Sequence, residues 1–267
     1  MKETSLTVHS LGTVARGLSD WLSGWWSLVH CGALLVAMAL SPSTYTPDKQ
    51  HAVALQICQT AAQILPRFIL FSALISLVLI HIVVVTAQSY GLSQFALGMV
   101  VRVLVVELLP LSAALFVALR TDIAATTEWD AMPQDAAYAP SRVITTDVWR
   151  QAILPRAIAQ SVAVVSLVTI SGGLALFLGY IGVYGFSPWG VGSFTRTVGQ
   201  VFEPIVTMLL GLKTALFALA VGTIPAVVRY TALVDGQQAS SATLPGRQRL
   251  FIVLLAIEIL SLIAAFF

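Results

Sequence analysis

Ala157–Tyr184 reads AIAQSVAVVSLVTISGGLALFLGYIGVY and holds no formal charge. A membrane-crossing helix needs about 20 mainly apolar residues, so this stretch is long enough to span by itself. It predicts that the chain is built for a bilayer, and the overall composition agrees. Of 267 residues, 58% are hydrophobic and 10% charged, where soluble domains carry about 25% charged residues. That balance excludes a soluble enzyme, a nucleic-acid-binding module and a disordered chain. The net charge of +2 says little in bulk; the position of each charge says more.

Working outward, further stretches have the same character. Leu65–Gln88 is interrupted by Arg67 and His81, and Gln94–Leu119 by Arg102 and Glu107. Val198–Val228 contains Glu203 and Lys213, and Leu250–Phe267 contains Glu258. The expected fold is an all-α integral membrane protein with five transmembrane helices. Residues 1–50 read as an N-terminal amphipathic interfacial helix and a linker. There Leu11, Val14, Leu18, Trp21, Leu22, Trp25, Trp26 and Val29 recur at helical spacing, with tryptophans suited to the headgroup region. A sixth span, or a signal sequence cleaved after Ala39, are the alternatives for this segment. Cys31 and Cys58 show no metal-ligand or redox spacing and read as small apolar fillers.

Orientation follows from Lys and Arg. With the N-terminus cytoplasmic, Lys2, Arg16, Lys49, Arg67, Arg120, Arg142, Arg150, Arg156, Arg229, Arg247 and Arg249 all fall inside, eleven of the 14 basic residues. Positive charge is retained on the cytoplasmic side, so five spans and a periplasmic C-terminus are expected. Spans one and two are joined by a tight outer turn near Gly91, and spans three and four by a Gly- and aromatic-rich outer loop. Arg120–Arg156 is too polar to span and too long for a turn, so it reads as a docking segment.

Charges inside the membrane cost about 2.5–3.5 kcal/mol each on insertion scales. Glu107, Lys213 and Glu258 fall near mid-depth, while Arg102 and His81 lie nearer the outer face. Two readings stand for Glu107 and Lys213: mutual neutralisation between packed helices, or a polar layer that holds an anionic headgroup. The chain's four histidines form no ligand cluster, so no metal site is expected. Ser171, Ala175 and Gly179 make a small-residue stripe for close helix packing. No GxxxxGK[ST] loop is present, so no ATP site of that type is expected in this chain.

The segment from Glu107 to Arg156 resembles the MlaE-type (YrbE-like) permeases, membrane subunits of ABC lipid transporters that work with MCE-domain proteins. The residues carrying the resemblance are Glu107-Leu108-Leu109-Pro110, Arg120, Glu128, Asp147-Val148-Trp149-Arg150 and Pro155-Arg156. Lys213 and Tyr230-Thr231-Ala232 fit a later lysine and a G-Y-D-A element of that family. Leu119, Asp122, Trp129-Asp130 and Arg142 depart from its pattern.

The resemblance implies a permease domain over residues 51–267 with a cytoplasmic coupling helix between the second and third spans. It implies a phospholipid permease in the bacterial inner membrane, passing lipid to or from a periplasmic MCE-domain protein. It also implies a second permease copy and a cytoplasmic ABC ATPase that binds the ATP, with no cofactor or metal in this chain and no nucleic-acid partner. Arg120, Glu128, Asp147, Arg150 and Arg156 would then be ATPase-coupling contacts, and Glu107, Lys213, Arg102 and His81 substrate-binding residues. Two other readings stay open: a non-transporting scaffold that recruits partners through the cytoplasmic loop, and a membrane-embedded lipid-modifying enzyme.

Overall fold

The computed structural model describes residues 32–33, 37, 47–130, 154–234 and 239–266. The expected interfacial helix before residue 47, and the coupling helix with Asp147 and Arg150, lie outside the described residues. The chain divides into two units, Met1–Tyr45 and Thr46–Phe267, and the helical bundle belongs to the second. Among the described residues there is no strand.

Helix α1 runs Pro47–Ser89, α2 Ser93–Val100, and a π-helical segment Val101–Leu108 leads into α3, Leu109–Asp130. After the loop come α4, Leu154–Tyr184, a short 3-10 turn Pro188–Gly190, and α5, Val191–Val201. Helices α6, Pro204–Val234, and α7, Ala239–Phe266, complete the bundle. Among the described residues, four helical stretches are long and apolar enough to cross a membrane: Ile64–Ser89, Phe95–Arg120, Leu154–Tyr184 and Pro204–Val228. Helix α7, with Arg247, Arg249 and Glu258, is a further long helix packed on α6.

Three features depart from the uninterrupted rods expected of the sequence. Helix α1 starts at Pro47, well before the apolar stretch, and continues through Pro66. Proline suits a first helical turn because its missing N–H has no acceptor to serve there. The fourth expected span is broken: α5 ends at Val201, and α6 begins only at Pro204. Pro204 disfavours helical geometry at Glu203, and Phe202 leaves the helix with ψ at 50°. Finally, α3 carries the second span's helix past Arg120 as far as Asp130, so the segment read as a docking element opens as helix and Glu128 lies on it.

The bundle centres on α4, which packs along α1, α6 and α3. Its small-residue stripe explains how. Ser171, Ala175 and Gly179 are buried, and the backbone at Gly172 and Gly179 lies close to Val105 and to Leu97 and Val100. The stripe therefore seats α4 against α2 and the π segment within one subunit. On the next face, Ser161 Oγ donates to Ala218 O across the α4–α6 contact at 2.9 Å. Lipid provides no apolar drive between helices, so close approach and such hydrogen bonds hold the contacts.

The outward surface is apolar. Leu70, Leu74 and Leu77 on α1, Ile205 and Met208 on α6, and Leu260 on α7 are each more than half exposed. Such a surface suits lipid and not water. At the α1–α2 turn, Gly91 adopts φ 69°, while Leu92 N–H donates to Ala87 O and Gly91 N–H to Gln88 O. This Schellman closure satisfies the last carbonyls of α1, and the left-handed backbone it needs favours glycine.

Candidate functional site: a buried charge cluster between three helices

Lys213 sits on α6 and is 2% exposed. A lysine ammonium at that depth requires anionic partners, and it has two. Its Nζ donates to Glu107 Oε2, and lies 2.9 Å from both carboxylate oxygens of Glu258, with the hydrogen bond made to Oε1. The Phe217 ring lies one turn along α6, its centroid 6.0 Å from Nζ, and closes the apolar side of the site. The cluster thus ties the π segment, α6 and α7 together.

The backbone carrying Glu107 is unusual. Val101–Leu108 is π-helical, and the N–H of Leu109 reaches back five residues to Leu104 O. Proline inside a regular helix removes a hydrogen bond and presses its ring against the carbonyl four residues back. A wider π turn just before Pro110 relieves that conflict. Such segments occur often at functional sites, and here one contains both Arg102 and Glu107.

Of the residues singled out from sequence, the structure brings Glu107 and Lys213 together and adds Glu258 to them. The sequence placed Glu258 at the same depth as Lys213 but gave no means of telling which face of α7 it occupies. Arg102 and His81 stand apart from this cluster, and both are exposed on the helix surface. Arg120 and Arg156 lie near the two ends of the loop, half-buried and engaged with neighbouring groups. Among the described residues no three His, Cys, Asp or Glu side chains gather as metal ligands.

Two carboxylates against one ammonium leave the cluster with one formal negative charge in excess. The lysine is therefore committed, and its ammonium is already shared between two oxyanions. Arg102 lies outside the cluster, exposed on the surface of the π segment.

No curated protein matches the chain. A comparison with known families matches it to Permease MlaE over residues 53–264, which takes in the π segment, the charge cluster and the four membrane-crossing stretches. The chain is a multi-pass membrane protein that belongs to the MlaE permease family, the membrane subunits of ABC lipid transporters.

Proposed function

We propose that this chain is the permease subunit of a phospholipid transporter in a bacterial inner membrane, acting as a dimer. It would exchange lipid with a periplasmic MCE-domain protein and be driven by a separate cytoplasmic ATPase, which binds the ATP. The family match over residues 53–264 carries this reading. The eleven basic residues retained on one side support five spans with a cytoplasmic N-terminus and a periplasmic C-terminus.

On this reading the ATPase grips the segment 120–156 through Arg120, Glu128, Asp147, Arg150 and Arg156. Motion of that segment passes directly into the second span, because α3 is one helix from Leu109 to Asp130. The π segment then meets the Glu107–Lys213–Glu258 cluster, which fixes the relative positions of spans two, four and five. Arg102 and His81, exposed at a similar outer depth, are the residues proposed to meet the lipid headgroup, Arg102 through its phosphate. The cluster contributes by holding the helix that presents Arg102.

Purification in mild detergent with natural partners tests this. Co-elution of an ATPase subunit together with phospholipid is the expected result. A protein partner without lipid would instead favour the scaffold reading, to which the departures at Leu119, Asp122, Trp129-Asp130 and Arg142 point. Isolation with neither would overturn the transporter reading.

A further inference from the structure

The loop between α4 and α5 presents two aromatic side chains on a braced support. Phe186 is 89% exposed and Trp189 93%, more than any other large apolar side chain among the described residues. Their exposure does not come from a loose chain. Gly185 ends α4 with φ 65°, and its N–H donates to Ile181 O at 2.9 Å. Pro188 opens the 3-10 turn. Tyr180 Oη donates to Ser187 O, and its ring meets Phe194 edge-on, with centroids 5.2 Å apart. Tyr184 lies directly against Gly190, where a Cβ would stand 2.8 Å from Tyr184 Cγ.

The position of this tip along the membrane normal follows from length. Helix α4 has 31 residues, about 46 Å at 1.5 Å per residue. A bilayer with its headgroup layers is about 40–45 Å thick. With its Leu154 end beside the arginine-rich loop, α4 delivers Tyr184 to the headgroup layer of the opposite leaflet. No Asp, Glu, Lys or Arg occurs between Ala157 and Thr195, so seating this loop against lipid strips water from no formal charge. Farther down α4, Phe177 is also 60% exposed. At the same end of the bundle, the α1–α2 turn exposes Tyr90 by 77%. Helix α5 packs Phe194, Val198 and Val201 inward against the α2 region and leaves Arg196 exposed.

We propose that the Phe186–Trp189 tip is a membrane-binding anchor, seated in the headgroup–acyl boundary of the leaflet opposite the arginine-rich loop. Tryptophan is enriched at that boundary because its ring is apolar and its N–H needs a polar partner. The bracing by Tyr180 and Tyr184 means the tip enters as a formed element and loses little freedom on docking. This anchor is independent of whether the chain transports lipid.

Trp189 is one of six tryptophans, so its signal is the difference between the full chain and Trp189→Phe. Both are reconstituted in phosphatidylcholine vesicles, plain or brominated on the acyl chains near the glycerol. The expected difference emission is blue-shifted from free tryptophan, and most of it is lost in the brominated vesicles. Phe186→Trp in the Trp189→Phe background should report the same. Difference emission at the wavelength of water-exposed tryptophan, quenched by aqueous iodide and unaffected by bromine, would overturn the anchor. The tip would then stand clear of lipid, as a surface for a protein partner does.

Discussion

Lys213 connects two carboxylates that neither packing nor lipid would otherwise tolerate. Removing one partner of a buried ion pair costs about 3–5 kcal/mol, because the remaining charge is left uncompensated. Lys213→Met is therefore expected to destabilise the chain by about that amount in detergent, read from thermal or denaturant unfolding. Glu258→Gln should cost much less, about 1 kcal/mol, because the amide oxygen still accepts from Nζ and the excess negative charge disappears. Equal costs for the two variants would mean that Lys213 is not shared as the geometry has it. Glu107 and Lys213 were legible in the sequence, since charges at equal depth on apolar helices seek each other. The third member was not, because a helix with apolar residues on all sides gives no sign of which side faces inward.

At the scale of elements, the bundle depends on places where backbones come close. A Cβ at Gly222 would stand 2.7 Å from the Ala157 carbonyl oxygen and would strike Ser161 Oγ. Gly222→Ala should therefore force α6 away from α4 and cost about 1–3 kcal/mol, as overpacking does. Ser161→Ala in the same chain would not rescue it, because the carbonyl remains in place; unfolding measurements on the single and double variants decide this.

Tyr180→Phe removes the bond to Ser187 O and should loosen the α4–α5 tip by about 0.5–1.5 kcal/mol. Faster amide exchange at residues 185–190 is the expected sign, and unchanged protection would show that ring packing alone braces the tip. Hydropathy revealed each membrane-crossing stretch but not its interruptions. The break before Pro204 was signalled by the proline itself and by Glu203 just before it, near the start of a stretch whose average hydropathy masked both. Pro110 marks the π segment in the same way, but a proline inside a helix can equally give a kink or a break, so the kind of interruption was not legible.

At the scale of the molecule, the four apolar stretches among the described residues give the layout, and the family gives the task. These were readable early because they depend on composition along the chain and not on which faces meet. One helix runs unbroken from Leu109 to Asp130, and the charge cluster ties the π segment that precedes it to two other helices. The most direct test is ATP-dependent movement of fluorescent phospholipid in vesicles containing this chain together with the ATPase and the MCE-domain partner proposed for it. The account predicts transfer with ATP, and its loss when Arg102 is replaced by Ala while the complex stays assembled. Equal lipid movement with and without ATP in the assembled complex would contradict it.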